Sequence, residues 1–290
     1  MTVTPRFPRV GAAAMVLVFS ACAKTETPPA DTTTTAAAPA AAATPNMVTF
    51  TAREFAFEGP DSIPAGLTMF HLNGGGQELH HLQLIRLEEG KTVADFQAAT
   101  KAAGPPPTWA IPYGGVNPPA PGGMAIATQI MEPGNYAVVC FVESADHVPH
   151  IAKGMTKSLT VTPAANANMT EPTADVTMTL NDYSFTLTKP LAAGRQMIKV
   201  ENAAAQPHEV VLVQLEPGKT LEDLGKWVVD MKGPPPAKPL GGIPAIMKGK
   251  AAYFEATLTP GDYGLICFIP DAKDGKPHVQ HGMAQPFKIS

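Results

Sequence analysis

From residue 47 onward the apolar residues recur in short alternating runs and not at helical spacing. Val48 and Phe50, then Phe55 and Phe57, recur at every second position, which is the period of a half-buried strand. In the run Val210-Val211-Leu212-Val213, one alternating pair faces one side of the strand and the second pair faces the other. Gly, Pro and Asn bound these runs as turns. One short helix is predicted in each half of the chain, after Thr92-Val93-Ala94-Asp95 and after Thr220-Leu221-Glu222-Asp223. There a threonine hydroxyl can cap free amides while the carboxylate three residues on suits the positive helix end. Both helices should stop before a Gly-Pro-Pro-Pro run.

The same unit is written twice. Val48-Thr49-Phe50-Thr51 returns as Val176-Thr177-Met178-Thr179, and an offset of 128 carries His80 to His208 and Gly90-Lys91-Thr92 to Gly218-Lys219-Thr220. Gly104-Pro105-Pro106-Pro107 returns as Gly233-Pro234-Pro235-Pro236, and Gly134-Asn135-Tyr136 as Gly261-Asp262-Tyr263. Self-similarity of this kind decides architecture. The expectation is an all-β protein of two tandem Greek-key sandwiches, each with one short inserted helix, spanning residues 47–163 and 174–290 with a linker at 164–173.

Composition narrows the class further. With 31 Pro and 25 Gly in 290 residues a helical bundle is excluded, because Pro removes a backbone donor and Gly loses more chain entropy on folding. A net charge of -4 leaves no positive excess for a phosphate backbone, so nucleic acid is not expected as a partner. At the start, Arg6 and Arg9 precede an apolar stretch from Val10 to Phe19 and then Ser20-Ala21-Cys22. Residues 1–22 thus read as an export signal. Cys22 after two small residues resembles a bacterial lipobox and would carry the lipid; an ordinary secretory cut is the alternative. Either reading exports the chain, to the periplasm or the cell surface, and the lipidated form would touch a membrane through its anchor only. Residues 23–46 hold Ala, Thr or Pro at 20 of 24 positions, a composition that reads as a disordered tether.

The candidate chemistry gathers around two of the three cysteines. A disulfide framework is not expected, and Cys140 and Cys267 could bridge only if an approximate two-fold axis passed beside them. In one half His80, Cys140, His150 and Met155 follow one another; in the other, His208, Cys267, His278 and Met283 take the same places. One thiolate, two imidazoles and a thioether form a soft trigonal set with a weak axial position, which selects copper. The second set is the favoured one. The bland alternative is a sandwich that keeps these residues without binding metal.

At these residues the chain resembles the cupredoxin, or blue-copper, family. The stretch Glu201 to Val211 is similar to that family's strand with the first histidine, Gly261-Asp262-Tyr263 through Cys267 to its thiolate strand, and His278 with Gly282-Met283 to its closing loop. The resemblance implies one copper per domain, Met155 and Met283 as weak axial ligands, and His150 and His278 near solvent as electron exits. Nine residues separate Cys140 from His150 and ten separate Cys267 from His278, so the loop should bulge. His81 beside His80 is an alternative ligand, and His281 either a supplementary donor or an exposed loop histidine. His71 and His147 are expected at the surface. Phe141 and Phe268, not histidines, follow the cysteines, which gives no route to a catalytic copper cluster, and no hydrolase or nucleotide-binding motif is present. The expectation is therefore no enzyme, but a one-electron carrier with a redox partner protein. Copper storage or delivery, and a metal-free surface sandwich, are the competing readings.

Overall fold

The computed structural model describes residues 44–101 and 106–290. The expected export signal, Cys22 and most of the tether lie outside the described residues, as do Gly104 and Pro105 of the first Gly-Pro-Pro-Pro run. The first half runs β1 (Asn46–Arg53), β2 (Ala56–Glu58), β3 (Ser62–Pro64), β4 (Gly66–Gly74), β5 (Leu82–Leu87), α1 (Val93–Lys101), β6 (Ala110–Val116), β7 (Met124–Met131), β8 (Gly134–Val139) and β9 (Thr156–Thr162). The second runs β10 (Val176–Asn181), β11 (Ser184–Leu187), β12 (Gly194–Asn202), β13 (His208–Leu215), α2 (Leu221–Asp230), β14 (Ala237–Ile246), β15 (Ala251–Leu258), β16 (Gly261–Ile266) and β17 (Ala284–Ile289). A short 3-10 turn, His278–His281, precedes β17. Among the described residues no helix is long and apolar enough to cross a membrane.

These strands form two facing sheets, and each sheet runs through both halves of the chain. One has the order β11-β10-β12-β15-β7-β4-β1-β2 and the other β17-β16-β13-β14-β6-β5-β8-β9-β3. The joins are antiparallel pairs of corresponding strands, Tyr253↔Thr128 between β15 and β7 and Ile246↔Tyr113 between β14 and β6. A bridge between Pro119 and Leu240 mirrors the second join, so the halves are related by an approximate two-fold axis. Nothing in the alternation of the sequence announces this continuity. It is stabilised by polar groups that reach across the join: the Gln83 side chain donates to Ala245 O, and Lys250 pairs with Glu132.

The core lies between the sheets and is shared as well, from Val48, Phe50 and Phe70 through Leu212, Phe254 and Leu265. The outer face of the nine-stranded sheet is covered by the helices. Phe96 of α1 lies with Ile85, Leu87, Ala137 and Val139, and Leu224 of α2 with Val211, Val213 and Ile266. The expected division of Val210 and Leu212 from Val211 and Val213 is therefore realised, one pair in the main core and one under α2. Both helix starts are capped as the sequence predicts. Thr220 accepts from the Asp223 amide while Asp223 accepts from the Thr220 amide, and Thr92 with Asp95 makes the same pair of bonds.

Two glycines fix how β5 meets β6 and β13 meets β14. Gly115 and Gly242 both have φ of +124°, and a Cβ there would stand 2.0 Å from Leu82 O and 2.1 Å from Val210 O. Only a residue without a side chain permits that approach. The pairing register slips beside both contacts, and those slips lie just past His80 and His208.

Candidate metal centres

Each centre is assembled by strand ends. β5 and β8 are antiparallel neighbours with Gln83 opposite Val139, so His80 before the one and Cys140 after the other finish at the same end of the sandwich. β13 and β16 repeat this with Val211 opposite Ile266, bringing His208 beside Cys267. The loop after each cysteine returns at once: Ile151 N donates to Cys140 O and Cys140 N to Met155 O, while Val279 N donates to Cys267 O and Cys267 N to Met283 O. This returns His150 and His278 to the cysteines, and Met155 and Met283 are fully buried. The expected bulge takes the form of a narrow hairpin-like excursion closed by the bridges Glu143↔Pro149 and Pro270↔Pro277.

His80, Cys140 and His150 thus present their donor atoms within 4.8 Å of one another, as do His208, Cys267 and His278. In the first group the two Nδ1 atoms are 3.0 Å apart and Cys140 Sγ is 3.4 Å from His150 Nδ1. In the second, Cys267 Sγ lies 3.9 Å from His208 Nδ1 and 3.4 Å from His278 Nδ1. Bonds of about 2.0 Å to nitrogen and 2.3 Å to sulfur, spread trigonally, separate donors by roughly 3.5–3.7 Å. The spacing therefore suits one ion of that size in each pocket, and one thiolate with two imidazoles suits copper. Both cysteines are free.

The fold is an all-β sandwich of two facing sheets with two short helices. The solved structures that the chain is similar to include a reduced auracyanin from Roseiflexus castenholzii, 22% identical over 41% of this chain and 98% of that one, with a TM-score of 0.29. Auracyanin A of Chloroflexus aurantiacus, described as a blue copper protein, is 17% identical over 41% of this chain and all of its own, with a TM-score of 0.30. A copper nitrite reductase from Nitrosomonas europaea is 15% identical over 85% of this chain and 94% of that one, with a TM-score of 0.25. No protein-family model and no curated protein matches the sequence.

In each pocket the far nitrogen of one imidazole is held by a carboxylate, whereas those of His80 and His278 are buried without a hydrogen-bond partner. His150 Nε2 meets Glu78 at 2.8 Å and His208 Nε2 meets Asp182 at 3.1 Å. A proton held on Nε2 leaves the Nδ1 lone pair free to ligate. An aromatic ring then covers each pocket. Phe55 stands edge-on to His150 at 5.2 Å, and Tyr183 edge-on to His278 at 5.5 Å. Both residues have φ of +61° in corresponding hairpins, a left-handed conformation rare for bulky side chains. Phe55, expected in a strand, lies in the turn between β1 and β2; Glu78, Asp182 and Tyr183 were not singled out in the sequence, although the Phe55 and Tyr183 positions correspond at the repeat offset.

Burial corrects one expectation. The side chains of His150 and His278 are 0% exposed, so neither is a solvent-near electron exit; Phe55 and Tyr183 stand in that place. Burial also sets the protonation states. Loss of solvent pulls His80 and His278 down to about 4 and lowers His150 and His208, against the partial opposition of their carboxylates. It pushes the Cys140 thiol up to about 12 and raises Cys267. The imidazoles are neutral and ready to ligate at neutral pH, while a thiol must surrender its proton to an arriving ion.

The remaining histidines divide cleanly. His81 does not join the pocket: its Nε2 accepts the Phe141 amide at 2.9 Å on the far side of the strand. His281 pairs with Asp274 at 3.2 Å, and its ring lies tilted against that of Tyr183 at 5.0 Å. It forms a further group with Asp271 and Asp274, but Asp271 already accepts from Tyr183, Gln206 and the Lys273 amide. His147 is exposed as expected. His71 is not at the surface, since it is half-buried with a buried, unpartnered Nε2.

Proposed function

We propose that this is an exported, lipid-anchored protein that carries one electron per copper between redox partner proteins. His80, Cys140 and His150 would hold one ion and His208, Cys267 and His278 the other, with the thioethers of Met155 and Met283 as weak axial ligands. The observation that carries the reading is the paired convergence of Nδ1, Nδ1 and Sγ in pockets whose burial keeps the imidazoles neutral. Copper bound this way supplies a one-electron couple. What the chain contributes is rigidity: strand ends, the Glu78 and Asp182 contacts and the aromatic covers hold the donors in place, so little has to move when the charge changes. Full burial of the histidine ligands also keeps water from the ion, which suits a carrier better than a protein that hands copper over through exposed ligands.

Reconstitution of the purified protein with Cu(II) tests this. An intense visible thiolate-to-copper absorption that bleaches on one-electron reduction and returns on reoxidation supports the carrier. Colourless uptake of Cu(I) alone would support storage or delivery, and no uptake a metal-free sandwich.

A further inference from the structure

Every candidate ligand in both pockets is buried, the most open being His80 at 1% exposure. An ion can reach them only if something moves aside. The strand ends are held by ladder bonds, and the loops after the cysteines by the backbone bonds that return them. What is held by side chains alone is the aromatic ring over each pocket, Phe55 edge-on to His150 at 5.2 Å and Tyr183 edge-on to His278 at 5.5 Å. Both residues are only half-buried, so each ring has a ligand histidine on one side and solvent on another.

The two rings are fastened differently. Tyr183 donates its hydroxyl to Asp271 Oδ2 at 2.5 Å. Asp271 is 4% exposed and is itself fixed by Gln206 Nε2 at 2.9 Å and by the Lys273 amide at 2.8 Å, so the acceptor cannot follow the ring. A hydrogen bond to a buried carboxylate is among the stronger ones. Phe55 has no hydroxyl, and four residues after Cys140, where Asp271 follows Cys267, the chain has Ser144. Its ring has Lys153 Nζ at 4.9 Å from the centroid, an ammonium that also pairs with Asp146 at 2.9 Å. Such a contact is weak where water competes. Glu54 accepts from the amides of Gln77 and Glu78 and so keeps the backbone of the Phe55 turn in place, as the bond from Asp182 to His208 does for the Tyr183 turn. What separates the halves is therefore the ring: that of Phe55 can swing away without breaking a hydrogen bond, and that of Tyr183 cannot.

We propose that Phe55 and Tyr183 are the gates through which copper enters and leaves, and that the Tyr183–Asp271 bond makes the second pocket a retaining site and the first an exchanging one. This rests on the copper-binding part of the reading above. The duplicated ligand set then serves two tasks, exchange of the ion with a copper donor or acceptor in the first half and retention in the second. As an ion arrives the cysteine proton passes to solvent and a copper–sulfur bond forms, with the copper keeping its oxidation state. Phe55, Tyr183 and Asp271 touch no ion and are positioning residues.

The first test needs no copper. The metal-free full chain is alkylated with iodoacetamide and each cysteine is followed separately by mass spectrometry. Tyr183→Phe, which removes only the hydroxyl, should speed modification of Cys267 by roughly tenfold or more and leave Cys140 as it was. Asp271→Asn, which keeps a neutral acceptor, should speed Cys267 less, and Phe55→Ala should speed Cys140 alone. Global unfolding would speed both cysteines, so the untouched one is the control in each variant. The second test loads the protein with Cu(I) and removes the metal with excess bathocuproine disulfonate. Release should have two phases, the fast one absent in Cys140→Ser and the slow one absent in Cys267→Ser, and Tyr183→Phe should speed the slow phase alone. Release in a single phase from the wild type, or a Cys267 whose alkylation is indifferent to Tyr183→Phe, overturns the inference while leaving copper binding intact. A wild type that takes up no copper overturns the copper reading and the exchange with it.

Discussion

Glu209 does for Phe268 what His81 does for Phe141: each side chain accepts, at 2.9 Å, the amide proton of the phenylalanine that follows a cysteine. The two acceptors are buried and chemically unlike. Burial pulls His81 down to about 3 and pushes Glu209 up to about 7. Each shift implies a stability that depends on pH, with opposite sign.

For Glu209 the folded chain holds a proton up to about pH 7 while the unfolded chain releases it near 4.5. Its contribution is therefore favourable below the lower value and is lost as pH rises through the upper one. Glu209→Gln should stabilise the metal-free protein more at pH 8 than at pH 5, as read from urea midpoints at the two pH values. An equal effect at both would show that Glu209 is not held neutral.

The histidines act the other way. His80 and His278 fall to about 4 and His81 to about 3 from an ordinary 6.5. Between those values and 6.5 the unfolded chain binds protons that the folded chain refuses, so stability falls as pH drops through that window. The metal-free protein should lose urea resistance between about pH 6.5 and pH 4. Bound copper should raise the thermal midpoint at neutral pH and lower the pH at which unfolding begins.

Gly242 and Gly115 test the join between strands. With a Cβ at 2.1 Å from Val210 O there is no space for a side chain. Gly242→Ala should cost about 3 kcal/mol or more, whereas Gly218→Ala, open on all sides at positive φ, should cost about 1 kcal/mol. Chemical denaturation of the metal-free protein measures both. Comparable losses would mean the close approach is relieved by a backbone shift.

The capped helices make a milder case. Thr220→Ala removes the acceptor for the Asp223 amide and a partner of its carboxylate. A loss of about 1 kcal/mol is expected, and Thr92→Ala should cost a similar amount at the other helix.

Much of this architecture is legible in the chain because it depends on local order. Thr220 with Asp223, the alternation through Val210–Val213, and the succession His208, Cys267, His278, Met283 are patterns that strands and caps impose on neighbours. The choice of His80 over His81 follows from the offset that aligns His80 with His208, and in the structure His80 meets His150 while His81 accepts the Phe141 amide. What escaped depends on contacts between distant residues. Gln83 reaches Ala245 and Asn117 reaches Val210, and no periodicity in either segment signals the other. For this reason the fused sheets were hidden. The covers Phe55 and Tyr183 were hidden for a different reason: an aromatic at positive φ breaks the rule by which turns are read from Gly and Asn. The same covers, and the closing of the loop over the pocket, bury His150 and His278.

The central claim is that each half of the chain holds one copper through one cysteine. A copper titration followed by the visible thiolate-to-copper absorption tests it in wild type, Cys140→Ser and Cys267→Ser. The wild type should saturate at two equivalents, each single variant at one with roughly half the wild-type absorption, and the double variant should show none. An absorption that survives in the double variant, or a wild type that gives no such absorption at any copper ratio, would contradict it.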